Sequence, residues 1–231
     1  MNRNIKLTVI LCLVFIVLVL YLTYYRITRN NSAGTLSPEA LRELGAVMYE
    51  RPVPLSPFSL VDQYGQPFDG SRLKGGWTLF FFGFTHCPDI CPLTLTELSQ
   101  FYRGLEQSGQ YPDTQVVMVS VDPQRDTAEE LADYMRSFHP DFIGVNGDFG
   151  EVSKLAKELY IAHSTPPGIA AADPHAEHAG HADAASDEDY VIDHSGNILV
   201  INPEGLYQGF FDTAIQDDEI TAAYKAIRAA Y

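Results

Sequence analysis

The sequence predicts an α/β fold, a mixed central sheet flanked by helices, behind one N-terminal transmembrane helix. Three observations lead there. The chain opens on an apolar run, Ile5 to Tyr25, of about 20 residues with only Lys6 charged, long enough to span a bilayer. From Trp77 to Tyr160, short strand-like runs alternate with longer stretches of helical period, the pattern of an α/β domain. Hairpin-like segments, Phe58 to Asp69 and Tyr190 to Phe211, flank that alternation, so parallel and antiparallel pairs should share one sheet.

Taken in order, residues 1–29 read as a membrane anchor. YLTYYRITRN offers no small-residue cleavage site, and Tyr21, Tyr24 and Tyr25 suit the membrane interface. Cys12 follows the bulky Leu11 within the run and reads as a small apolar residue facing lipid or a partner helix. Arg3 and Lys6 on one side oppose Arg26 and Arg29 on the other, so charge alone does not orient the span. Residues 30–57 read as a stalk. They hold a short helix with Ser37 as N-cap and Pro38 at its first position, then the proline-punctuated RPVPLSP.

Residues 58–231 form the expected domain. FSLVDQYGQPFD should turn at Tyr64-Gly65. Trp77 to Phe84, rich in aromatics, reads as a buried central strand, and the leucine-spaced run after it as a helix ending near Gly109. Gln115 to Val121 is the next strand. Thr127 with Glu130 makes a capping box for a helix to about His139, FIGVN is a further strand, and Asp148 with Glu151 starts a helix through Tyr160. The second hairpin should turn around Ser195-Gly196-Asn197, and Ile220, Ala223, Tyr224 and Ile227 mark a closing helix. Thr165 to Glu188 has no apolar period and is rich in alanine, aspartate and histidine, which reads as a surface insertion at about 165–188.

Charge excludes some functions. Of 15 basic residues, four flank the anchor, leaving 11 against 30 acidic ones after Asn30. So acidic a domain is ill suited to nucleic acid or anionic lipid surfaces. Cysteine is sparse: Cys12 in the anchor, then Cys87 and Cys91 close together, a single chemical device rather than a disulfide scaffold.

That device sits in FFFGFTHCPDICP. Pro88 pushes Cys87 out of the helical region while Pro92 suits a first helical turn, so Cys87 falls at a strand-to-helix junction and Cys91 just inside the helix. One turn of separation brings the sulfurs near enough to share a metal ion or close a disulfide, and the helix N-terminus should favour thiolate. Two thiolates are incomplete for zinc, but with one imidazole they make a good trigonal site for copper. Seven histidines are candidates for a third ligand. His194, at a strand edge in DYVIDHSGN, stands out; spacing alone does not separate a ligand from a solvated histidine there.

The combination of FFGFTHCPDICP, VSVDPQRDT and DYVIDHSGNILVINPEG behind an N-terminal anchor resembles the Sco (SenC) family, the thioredoxin-like copper proteins of cytochrome c oxidase assembly. The resemblance runs from about Phe58 to the C-terminus. It implies a thioredoxin-like fold binding one copper ion, Cu(I) or Cu(II), through Cys87, Cys91 and His194. It also implies an inner-membrane anchor with the domain in the periplasm, or in the mitochondrial intermembrane space. The implied role is a metallochaperone delivering copper to the CuA site of cytochrome c oxidase subunit II. Its partners would be that subunit, a thioredoxin-like reductant that keeps the thiols open, and a copper-donating chaperone. A rival within the same resemblance is a thiol-disulfide oxidoreductase that reduces the target's cysteines, with Cys87 and Cys91 redox-active. VSVDPQRDT is accounted for as a strand end and helix cap, with Arg125 tying the loop. The chain departs from the family pattern at the insertion, where His175, His178 and His181 recur every third residue, either as a metal-capturing tract or as a solvated loop.

Overall fold

Apolar alternation resolves into thirteen helices and strands after the anchor segment in the computed structural model, which describes residues 12–23, 36–162, 192, 195–212 and 215–231. In chain order they are α1 (12–23), α2 (Pro38–Glu43), β1 (Ala46–Pro54), β2 (Ser59–Asp62), β3 (Pro67–Asp69), β4 (Trp77–Gly83), α3 (Ile90–Ser108) and β5 (Thr114–Ser120). Then come α4 (Ala128–Phe138), β6 (Ile143–Asn146), α5 (Phe149–Glu158), β7 (Ile198–Ile201), β8 (Leu206–Phe211) and α6 (Asp217–Ala230). The strands form one mixed sheet in the order β1-β8-β7-β4-β5-β6-β2-β3.

β4 is central because every residue of WTLFFFG is buried, and a strand covered on both faces needs apolar side chains in both directions. It runs parallel to β5, from Trp77 opposite Thr114 to Gly83 opposite Ser120, and antiparallel to β7, with Phe81 opposite Ile198. Its side chains divide the core. Trp77, Leu79 and Phe81 join Leu95, Leu98 and Tyr224 on the face covered by α3, α4 and α6. Phe80 and Phe82 join Phe68, Val152 and Leu155 on the face covered by α5. α6 is pinned at the start of β4, where Arg228 donates to both carboxylate oxygens of Asp113 at 2.8 and 3.0 Å.

Local signals hold where they were strongest. Ser37 caps α2, Thr127 and Glu130 form the capping box of α4, and Gly109 ends α3 at φ 63, a left-handed conformation that suits glycine. β2 and β3 pair as the expected hairpin around Tyr64-Gly65.

Two expectations are corrected. Ala46–Pro54, read as stalk, is β1, an edge strand paired antiparallel with β8, whose register breaks between Met48 and Val53. Pro52 and Pro54 misled the sequence reading, since proline cannot donate to a ladder; an edge strand tolerates it because one side needs no partner. The second hairpin turns at Asn202–Gly205, not at Ser195-Gly196-Asn197. The Asn202 carboxamide oxygen accepts from the backbone N–H of Glu204 and Leu206 at 3.1 and 3.0 Å, and Gly205 sits at φ +80. Ser195 instead ties back to Ala162 through its backbone N–H, at 2.9 Å.

Residues 12–23 are helical, with apolar side chains from Leu13 to Leu22 between 43% and 66% exposed. Among the described residues no helix is long and apolar enough to cross a membrane, and Ile5 to Leu11, Tyr24 and Tyr25 of the expected span lie outside them. The insertion at 165–188, with His175, His178 and His181, also lies outside.

Asn202→Ala should destabilise the fold by about 1–3 kcal/mol, because the turn's N–H groups lose their acceptor at a buried position. Urea unfolding of wild type and variant, followed by circular dichroism, measures the difference.

Candidate metal centre

β4 ends at Gly83, and the chain passes through Phe84, Thr85, His86, Cys87 and Pro88 to the N-cap Asp89 of α3. Cys87 therefore precedes the helix and only Cys91 lies on it. The sulfurs meet nonetheless, because the backbone N–H of Cys87 donates to the Phe84 carbonyl at 3.2 Å and folds the loop back over the helix start. Neither cysteine is in a disulfide.

The pair is asymmetric. Cys91 is 0% exposed within the α3-side core, while Cys87 is partly buried where the two halves of the core meet. Gly83 is the floor beneath the buried sulfur: a Cβ there would lie 3.0 Å from Cys91 Sγ and 2.8 Å from the Phe81 ring. A glycine is required by this close approach.

The expectation of two favoured thiolates is overturned for Cys91. Its hydrogen bond with Cys87, followed by burial, pushes the Cys91 thiol far above the ordinary range, against an opposing backbone hydrogen bond at Phe84. The helix N-terminus does not outweigh these effects. In the metal-free protein Cys91 is a neutral thiol, and any cation held by both sulfurs must displace its proton.

The loop is held from below by Asp126, a carboxylate 0% exposed. It accepts from the Thr85 backbone N–H at 3.2 Å, from Thr85 Oγ1 at 2.6 Å and from Ser120 Oγ at 2.6 Å. Burial pushes its carboxyl up, and the bonds from Ser120 and Thr85 pull the other way. Arg125 ties the same loop, donating from Nε to Asp122 Oδ2 at 2.5 Å and lying 5.7 Å from the Phe84 ring centre. VSVDPQRDT thus does more than end a strand and cap a helix: it fastens the segment that carries Cys87.

The histidines separate clearly. His86 is exposed, its Nδ1 2.9 Å from Thr85 Oγ1. His139 is buried, and its Nδ1 accepts the Asp141 N–H at 3.2 Å, so Nε2 carries the proton toward Glu106 at 3.1 Å. Glu106, His139 and Asp141 could offer ligand atoms within 4.8 Å of one another, but both nitrogens of that ring are already engaged. His194 lies outside the described residues, as does His163. Ile192, two residues before His194, is buried in the same core half as Phe84, against which Cys87 packs.

Sequence reasoning missed Gly83, Asp126 and Tyr134. Gly83 and Asp126 stood inside recognised motifs without a role. Tyr134 of α4 carried no signal at all; its hydroxyl is buried without a hydrogen-bond partner, one of two such side-chain atoms among the described residues, with Thr94 Oγ1 of α3 the other. The residues present fit a soft metal: two adjacent sulfurs over a floor without a side chain.

Comparison with known proteins agrees with this geometry. The SCO1/SenC family model matches residues 48–229. The mitochondrial SCO2 homolog of Mus musculus is 35% identical over 174 residues, covering 75% of this chain and 62% of that protein. The chain thus spans about three fifths of the length of such curated relatives. Among solved structures, Arabidopsis thaliana ScoI with copper bound is 32% identical, covers 76% of this chain and 98% of that one, and superposes with a TM-score of 0.63. Yeast Sco1 is 29% identical, covers 78% and 100%, and gives 0.65.

Alkylation of the reduced, metal-free protein with iodoacetamide at neutral pH should modify Cys87 and spare Cys91, because one sulfur reaches the surface while the other is buried and neutral. Peptide mass spectrometry reads the two sites separately; equal labelling would contradict the asymmetry.

Proposed function

The chain belongs to the SCO1/SenC family, and from that premise we propose that it is a copper chaperone whose single metal ion is held by Cys87, Cys91 and His194. The observation that carries this reading is the pair of sulfurs in hydrogen-bond contact at the carboxyl end of β4, neither in a disulfide. Chain order supports the third ligand. β7 begins opposite Phe81, two residues before Gly83, so the segment leading into it approaches the end of the sheet where the cysteines lie, and His194 is four residues before Ile198. Copper bound in the Arabidopsis thaliana relative's structure supports the choice of metal.

The cargo step follows from the thiols. Cys87, the more accessible sulfur, would take the copper cargo first; the Cys91 proton, and that of Cys87 where it is a thiol, would pass to solvent as both sulfurs become ligands, and the imidazole would supply the third. Delivery is the reverse by ligand exchange, each bond to sulfur or nitrogen passing to a ligand of the acceptor. The acceptor in this proposal is the CuA site of cytochrome c oxidase subunit II. A thioredoxin-like reductant keeps the pair open, and another copper chaperone loads it. The apolar side chains of residues 12–23, exposed all round, support an anchor that continues beyond them on both sides. The folded domain would then face the periplasm, or the mitochondrial intermembrane space, as the mitochondrial designation of the mouse relative suggests.

A second reading has its own observation. A partly exposed Cys87 backed by a buried Cys91 thiol is also the arrangement of a thiol-disulfide oxidoreductase, in which the outer sulfur attacks a substrate disulfide and the inner one resolves the mixed disulfide. Turnover of a disulfide substrate by the metal-free protein, abolished in Cys87→Ser, would favour the reductase. Stoichiometric copper transfer to apo subunit II without turnover favours the chaperone.

His194→Ala should weaken copper binding by about tenfold or more while both thiols still react with a thiol reagent. Unchanged affinity in a competition titration would remove His194 as a ligand. Affinity of the wild type should rise with pH across the neutral range, by about tenfold per pH unit for each proton displaced, since the Cys91 thiol lies above its ordinary value of 9.0 and must lose its proton to bind. A pH-independent affinity would mean that Cys91 is not a ligand.

A further inference from the structure

The chain enters the domain at the cysteine end. Successive registers place Ala46 of β1 opposite Phe211 of β8, Phe211 opposite Ile198 of β7, and Ile198 opposite Phe81 of β4, two residues before Gly83. Three strand spacings, about 14 Å, separate the ends of that row. α2, just ahead of β1, is fastened at the same end: Leu41 and Leu44 pack against the core half that contains Cys91, and the Gly45 carbonyl accepts the Asp212 N–H at 2.8 Å. The other end of β1, where Pro54 stands opposite Leu206, lies about 26 Å farther along the sheet. From Tyr25, the last residue of the expected span, to Leu36 the chain takes eleven steps, which reach at most about 40 Å. However the domain tumbles, that tether limits how far the cysteine end rises from the bilayer, while the opposite end is free to rise farther.

We propose that the domain presents its cysteine end toward the membrane, and that the surface around Cys87 is the docking face for a protein held in the same bilayer, with basic side chains about its own receiving site. This rests on the anchor and the copper centre proposed above. The lipid itself is the wrong occupant for that face. α4 and α6 both begin there, because β5 and β8 finish there, and their first turns carry Glu129, Glu130, Asp217, Asp218 and Glu219. Acidic side chains suit helix N-termini; gathered at one end of the molecule they also repel anionic headgroups and attract a basic protein surface. Beside Cys87, Pro88 is exposed, and Leu93 in the first turns of α3 is 44% exposed. Apolar side chains among charges of one sign suit a protein partner of opposite charge. Holding both proteins in one membrane confines the encounter to a layer the tether can reach, which raises the effective concentration of the two sites.

The test is energy transfer from the domain to a dye on lipid headgroups, with the full chain held in nanodiscs. Cys12→Ser with Cys87→Ser leaves the buried Cys91 as the one native thiol. Gln124→Cys, exposed just beyond β5, or Glu204→Cys, exposed in the turn between β7 and β8, then takes the donor dye. Circular dichroism matching the wild type shows each variant folded, and broadening of wild-type amide resonances by nitroxide lipid makes the same comparison with no substitution. Transfer from position 124 should exceed that from 204 about twofold or more, given the end-to-end difference of about 26 Å. Replacing zwitterionic lipid by phosphatidylserine should not increase it. A lipid-anchored oligolysine peptide, standing in for the partner's basic surface, should increase transfer from 124 and leave 204 unchanged. Equal or greater transfer from 204 overturns the proposal. So does a rise with phosphatidylserine, since the lipid is then the occupant, and so does indifference to oligolysine. A chain that does not stay with the nanodisc overturns the anchor and this inference together. A wild type that takes up no copper overturns the copper reading, while a preserved difference between 124 and 204 still supports this orientation of the cysteine end.

Discussion

The site depends on a sulfur buried against a backbone. Cys91 Sγ rests on Gly83 at the end of a strand enclosed on both faces, so its position is set by the densest part of the molecule rather than by a surface loop. From that fixed point the rest follows. α3 must begin where it does, the loop from Phe84 to Pro88 must fold back over the helix start, and Cys87 arrives beside its partner. A side chain larger than hydrogen at residue 83 would break the chain of dependences at its first link.

The loop's own tether comes from a neighbouring strand. β5 runs parallel to β4 and ends beside it, so Ser120 and the residues after it reach the same end of the sheet as the cysteines. Asp126 uses that proximity to grip Thr85, two residues before Cys87, accepting from its backbone N–H and its hydroxyl, while Ser120 Oγ donates to the same carboxylate from the end of β5. Such a carboxylate, 0% exposed and fully engaged, is a rigid support. β7 enters the sheet from that end as well, which brings three separate stretches of sequence to one edge of the fold.

The metal-free state is held short of reactivity. The contact between the two sulfurs, with burial, pushes the Cys91 thiol up and favours its protonated form, the less reactive one. A cation supplies what removes that restraint, and a competing ligand set restores it. On the chaperone reading proposed above, such a site would hold its metal reversibly, whereas a permanent structural site would be closed and fully coordinated from the start.

The sequence by itself determined the elements with strong local causes. The seven-residue buried run of β4, the Thr127–Glu130 capping box and the Cys87–Cys91 spacing are written in adjacent residues, because backbone sterics, capping and apolar period act over one or two turns. Three ordered motifs also revealed the family. What only the tertiary structure decided involves partners far apart in the chain. Pro52 and Pro54 read as linker until β8 made Ala46–Pro54 an edge strand; Asp126, within a motif read as a strand end and helix cap, gained its role only on meeting Thr85 from 41 residues away. The charge state of Cys91 belongs to the same class. Helix position argued for thiolate, but burial and a neighbouring sulfur are properties of the packed molecule, and in a low-dielectric interior they outweigh a helix dipole.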